Sequence, residues 1–186
     1  EGVIQARAIK CATWAAVVMV LGFVGAGIWL QGIDGYRITS VVDPSALPNP
    51  MSKTVVREAG AWMANYAAQP LLWILPVLGV LGALGAAALL RARHTLSAFV
   101  SSALSIVGVI GTAGVSMFPF IMPSSTMPNA SLTVWDSVSS HLTLGIMFWA
   151  TIIFMPLIVM YTSWAYSVMR GKVTEAYIRE SDHAAY

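Results

Sequence analysis

Hydroxyl groups recur along residues 97–116 at a spacing that aligns them: with Gly108 included, Ser97, Ser101, Ser105, Thr112 and Ser116 follow one another at steps of three or four. On a helix such steps fall on one face. This face is either a hydroxyl track lining a water path or a polar subunit seam, or it is a packing face whose hydroxyls bond back to helix carbonyls. Charged groups form a second constellation. Arg57, Glu58 and Asp136, with Trp62 near them, lie in the loops that flank the apolar runs. Arg57 and Glu58 are sequence neighbours and do not face each other on a helix, so each needs its own partner. Pairing Arg57 with Asp136 would tie the two loops together; alternatively Arg57, Glu58, Trp62 and Asp136 bound a quinone or a subunit contact. Thr133 and Asp136, three apart, also suit a cap for the fourth long helix.

Ligand chemistry is sparse. His94, His141 and His183 fall at three different depths, and Cys11 is the single cysteine, so no disulfide and no multi-cysteine site arises. The ten methionines read as core fillers rather than axial ligands. GVLGALGAA at residues 79–87 has neither the preceding strand nor the lysine of a phosphate loop and reads as a packing face. No carboxylate lies inside an apolar run, so if the intact protein conducts protons these runs are not its main carboxylate wire. No catalytic residue, metal ligand or bound cofactor is predicted for this chain by itself, and its cofactor-binding positions stay unassigned. Asn129-Ala-Ser131 matches a glycosylation sequon, a weak signal.

The elements that position these groups are membrane spans. Hydrophobic residues make up 58% of the chain and charged residues 10%, with a mean hydropathy of +0.75. Soluble domains hold about 45–50% and about 25%. Four segments, at about 11–30, 70–90, 96–118 and 142–168, lack charged residues over the length a helix needs to cross a bilayer, about 20 residues. The predicted fold is an all-α membrane protein, four transmembrane helices forming a bundle in one membrane domain over 1–186, with loops at 31–69 and 119–141. Gly22 with Ala26, Gly79 with Ala83 and Ala87, and Gly108 with Thr112 allow close helix packing. Pro76 and Pro156 predict kinks in the second and fourth spans. The net charge of +2 and short basic flanks speak against nucleic acid as a partner.

Arg7, Lys10, Arg91, Arg93, Arg170, Lys172 and Arg179 flank one side of the spans, and only Arg37, Lys53 and Arg57 the other. The positive-inside rule places both termini and the residue 91–95 turn in the cytoplasm and the loops 31–69 and 119–141 outside. In the first of these loops, Asn49 suits a cap and Pro50 a first turn, and Val55, Val56, Ala59, Trp62, Met63 and Tyr66 recur at helical spacing. They predict a short amphipathic helix, lying on the membrane surface or packed on the bundle. GIDGY at residues 32–36 predicts a turn. Residues 117–140 hold Pro119, Pro123 and Pro128 and no lysine or arginine, yet Phe118, Phe120, Met122 and Trp135 are too apolar for a solvated linker. This stretch predicts an ordered cap. The start at Glu1, without an initiating Met or a signal-peptide pattern, predicts a portion of a longer membrane protein.

On GIDGY at residues 32–36, NPMSKTVVREAGAW at 49–62 and MFPFIMPSSTMPNASLTVWD at 117–136, with Ser139 and Ser140 following, the chain resembles the carboxy-terminal half of subunit II of the cytochrome bd quinol oxidases. The resemblance implies half of an eight-helix subunit in the bacterial inner membrane. Its implied partners are a haem-bearing subunit I, the missing first half of subunit II, membrane lipids and the quinone pool. It implies quinol oxidation coupled to reduction of oxygen to water, with haem b and haem d in subunit I and this chain as non-haem structural support, a structural quinone or lipid being a further candidate ligand. The alternative reading, from the prolines and the hydroxyl face, is half of a small-solute transporter.

Overall fold

The computed structural model describes residues 3–43 and 48–170. The chain divides into two compact units, Glu1–Val138 and Ser139–Tyr186. In the first unit, helix α1 runs over Val3–Leu30. It begins eight residues before the apolar span, carrying Arg7 and Lys10 on its first turns. An antiparallel hairpin follows, β1 at Asp34–Ile38 and β2 at Val55–Ala59. Short 3-10 turns at Pro50–Ser52 and Ala61–Met63 flank β2, and α2 spans Ala64–Ala68. A 3-10 turn over Pro70–Trp73 leads into α3 at Ile74–Arg91, and α4 covers Thr95–Met117. Strands β3, Phe120–Met122, and β4, Leu132–Thr133, form a second small pair. The second unit holds α5, His141–Val168. Four helices are therefore long and apolar enough to cross a membrane, and the strands are minor additions.

The first loop departs from the amphipathic helix its periodicity predicts. Residues 55–59 are extended because β1 offers their backbone partners: Tyr36 stands opposite Arg57 and Ile38 opposite Val55. Helix is confined to the residues after Gly60, whose positive φ of 73° ends the strand in a conformation glycine adopts freely. The predicted turn at residues 32–36 is likewise shorter, since Asp34 already begins β1. Asn49 does cap as its type predicts, accepting from the Met51 amide at 3.0 Å. Pro76 falls in the first turn of α3, where helix amides have no intrahelical partner, and so breaks nothing there. Pro156 lies in the interior of α5, where it removes the bond to the Ile152 carbonyl.

Helices α3 and α4 pack backbone against backbone. A Cβ built on Gly108 would stand 2.3 Å from the Gly79 nitrogen, and one on Gly82 would stand 2.7 Å from the Ser105 nitrogen. No side chain fits at these crossings. Hydroxyls add to the contact: Ser105 donates to the Gly79 carbonyl at 2.6 Å and Ser101 to the Gly82 carbonyl at 2.8 Å. At the connection between the helices, Arg93 adopts φ 63° while its amide and that of His94 bond back to Leu90 and Leu89 carbonyls. This closes the free end of α3.

Candidate functional site

The sequence-predicted charged groups assemble at the loop end of the first unit, where residues 31–69 meet residues 118–138. At the centre is an ion pair. Lys53 Nζ donates to Asp136 Oδ2 at 2.6 Å and to the Pro50 carbonyl at 2.8 Å. The side chains are only 2% and 8% exposed. Asp136 Oδ2 also accepts from the Thr133 amide at 3.0 Å and from Thr133 Oγ1 at 2.6 Å. Burial by itself would raise the Asp136 carboxyl, but the hydrogen bonds from Lys53 and Thr133, with the Lys53 charge, outweigh it and hold the pKa below the ordinary carboxylate value. The carboxylate is thus ionised and occupied at neutral pH.

The partner expected for Asp136 was Arg57, and the structure corrects this. Residue 57 lies in β2 facing Tyr36, so its guanidinium sits over the Tyr36 ring, 5.5 Å from the centroid, and donates to the Ser125 carbonyl. Lys53, just ahead of the strand, reaches Asp136 instead. Glu58 pairs diagonally across the hairpin with Arg37 at 3.2 Å, in a bridge with both side chains more than half exposed. Such a bridge contributes little. Thr133 and Asp136 do not cap the fourth span: they close a turn of their own, and Ser140 caps α5 by accepting from the Thr143 amide at 3.3 Å.

Around the pair, segments distant in sequence are joined by side chains. The Val55 amide donates to Asn129 Oδ1 at 2.7 Å, and the Tyr36 hydroxyl to the Ser124 carbonyl at 3.0 Å. Asn65 Nδ2 donates to the Val115 and Phe118 carbonyls, both at 2.7 Å, satisfying the free end of α4. Tyr66 is buried and its hydroxyl donates to the Thr112 carbonyl at 3.0 Å. Tyr36, Trp62 and Phe120 form a ring cluster with centroids 5.6–6.4 Å apart. Trp62 Nε1 donates to the Asp34 carbonyl at 3.2 Å. Ser131 and Thr133 are sealed beneath, the Ser131 hydroxyl accepting from the Ser124 amide at 2.9 Å. Among the described residues no buried side-chain nitrogen or oxygen lacks a hydrogen-bond partner.

Of the sequence-predicted residues, Arg57, Glu58, Trp62 and Asp136 therefore share one end of the unit without converging on one point. Along α4, Ser105 is buried and Ser101 half-buried against α3, Ser116 is buried near the end of the helix, and Ser97 is exposed. Thr112 bonds back to the Gly108 carbonyl at 2.6 Å. Lys53 and Asn65 were not singled out by sequence. Lys53 had one available signal, a cation set among Asn, Ser and Thr with no acid within four residues.

Cys11, His94 and His141 are all exposed. Among the described residues no three His, Cys, Asp or Glu side chains come together. A shallow cavity of about 450 Å³ on α5, lined by His141, Leu142, Gly145, Ile146 and Trp149, offers a single imidazole and no second ligand. These residues do not fit a haem, and no electron step is routed through them.

Comparison with known proteins agrees with the loop-end motifs. The sequence profile of the cytochrome bd terminal oxidase subunit II family matches residues 1–169. Cytochrome bd-I ubiquinol oxidase subunit 2 of Escherichia coli (strain K12) is 45% identical over 186 residues, all of this chain and 49% of that protein. The probable cytochrome oxidase subunit 2 of Haemophilus influenzae is 44% identical over 180 residues, 97% of this chain and 48% of that protein. The chain thus spans about half the length of the curated relatives it matches. It belongs to the cytochrome bd terminal oxidase subunit II family.

Proposed function

We propose that this chain is a non-haem structural portion of a bacterial cytochrome bd-type oxidase, the carboxy-terminal half of an eight-helix subunit II forming one membrane domain. In this reading the complex oxidises quinol and reduces oxygen to water, and this portion supports the haem-bearing subunit I, which holds haem b and haem d. The chain lies in the inner membrane with both termini in the cytoplasm, so the loop end faces outward. The positive-inside asymmetry of Arg7, Lys10, Arg91, Arg93, Arg170 and Lys172 supports that orientation.

The observation that carries the structural role is the Lys53–Asp136 pair. Lys53 Nζ and Asp136 Oδ2 are engaged in holding loop segments together, Nζ through two hydrogen bonds and Oδ2 through three, at the buried ion pair found among the described residues. A buried pair of this kind fixes which segments meet. Arg57, Glu58, Trp62 and Asp136 are then contacts of a clamp, not reacting groups, and Ser101 and Ser105 belong to a helix seam. The transporter alternative has no support: the family profile that matches is that of an oxidase subunit, and the hydroxyls of Ser105 and Ser101 are occupied by α3 carbonyls. The test is a reduced-minus-oxidised spectrum of the subunit separated from its partner. No haem bands are expected in that fraction, and intrinsic bands would overturn the assignment.

A further inference from the structure

The opposite end of the first unit carries a feature that the clamp does not use. A groove of about 240 Å³ opens between the first turns of α1 and the last residue of α3, lined by Ile9, Lys10, Thr13, Trp14, Val17 and Arg91. Ile9, Thr13 and Val17 follow one another four residues apart, as do Lys10 and Trp14, so two adjacent rows of α1 make its wall over about 12 Å. The Thr13 hydroxyl is turned back to the Ile9 carbonyl at 2.9 Å, leaving the wall apolar beyond the cations. Arg91 closes the groove from α3.

Charge decides what fits. Lys10 and Arg91 are exposed, and the ion pairs formed among the described residues, Arg37–Glu58 and Lys53–Asp136, are both at the loop end. The described carboxylates, Asp34, Asp43, Glu58 and Asp136, all belong to loop-end segments. Two cations therefore share a small groove that no acid among the described residues faces. They also sit at the depth of a headgroup: α1 and α3 have the length and composition of spans, and Lys10 and Arg91 each mark the place where the apolar run stops. Trp14, largely exposed one turn deeper, is a residue type favoured at that boundary.

We propose that this groove binds an anionic phospholipid, its phosphate held between Lys10 and Arg91 and the start of an acyl chain laid along Trp14 and Val17. Basic grooves between transmembrane helices recognise lipid headgroups by this combination of charge and apolar wall. Arg91 supplies a planar fork to the phosphate and Lys10 a point charge.

The test uses the purified complex that carries this chain, delipidated in detergent and titrated with dioleoylphosphatidylglycerol, dioleoylphosphatidylcholine or inorganic phosphate, with bound lipid counted by native mass spectrometry. The anionic lipid is expected to bind about tenfold more tightly than the zwitterionic one at the site lost in the variants, and phosphate at equal concentration should not displace it. Lys10→Gln or Arg91→Gln should each weaken binding about fivefold, and the pair about thirtyfold. Lys10→Arg should retain it, which separates loss of charge from misfolding, and Arg37→Gln at the loop end should change nothing. Equal binding of both lipids, unchanged affinity in the double variant, or displacement by inorganic phosphate would each overturn the proposal.

Discussion

Where α3 meets α4, the chain is joined by removing side chains; at the loop end it is joined by adding them. Gly79 and Gly108 bring two backbones to a distance at which no Cβ fits, and Ser105 needs only its hydroxyl to reach across. Around Lys53 and Asp136, by contrast, segments about eighty residues apart are connected by long polar side chains, and every buried side-chain nitrogen and oxygen among the described residues is partnered. The difference follows from the surroundings. In lipid, apolar burial gives helices no reason to associate, so close approach and hydroxyl-to-carbonyl bonds take over. At the membrane surface, short strands and 3-10 turns leave many backbone groups open, and side chains such as Asn65, Asn129 and Thr133 satisfy them.

This contrast predicts different sensitivities. The largest effect is expected at the ion pair: Lys53→Met leaves a buried carboxylate with only Thr133 as donor and should destabilise the first unit by about 3–5 kcal/mol. Replacing both partners, Lys53→Met with Asp136→Leu, should cost clearly less than the sum of the single changes in thermal unfolding, because no charge is stranded. If the two single costs simply add, the pair is not coupled as described. At the helix seam, Gly108→Val should cost about 3 kcal/mol by forcing α3 from α4. An unchanged melting temperature would show that the seam opens freely. Asn65→Ala exposes the carbonyls at the end of α4 and should cost about 1–2 kcal/mol, measured as faster hydrogen exchange in the last turn of α4.

Acid gives a gentler test of the same contrast. The folded pKa of Asp136 is depressed, so its contribution is fully present above the unfolded value of about 3.9 and is lost as pH falls through the lower folded value. Melting temperature should therefore hold from pH 7 to about pH 5 and fall below about pH 4, and Asp136→Leu should remove that acid-dependent part. The helix seam holds no titrating group and should not respond.

The sequence made the four spans legible because each is a charge-free run bounded by Arg, Lys, His or aromatic residues, a signal that depends only on local composition. Residues 55–66 were misread for an equally physical reason. Val55, Val56, Ala59, Trp62, Met63 and Tyr66 match a helical period, and a five-residue strand is too short for its alternation to compete. What made it a strand was β1, about twenty residues away, and no local pattern reports a distant hydrogen-bonding partner. Gly60 was the one readable warning. The partner of Asp136 was hidden by expectation: lysines are seldom buried, and Arg57 was the more prominent cation of the same loop. The hydroxyl face of α4 was legible as a face, and its two readings separated only when the Gly79 and Gly82 carbonyls stood opposite Ser105 and Ser101.

The most direct measurement of the structural role is Asp136→Ala in the complete oxidase, comparing the yield of assembled complex with the haem spectrum of whatever assembles. The expected result is a several-fold loss of complex, the remaining fraction showing unaltered haem bands. A normal yield with shifted or missing haem bands would contradict it, placing Asp136 in the redox machinery instead of the clamp.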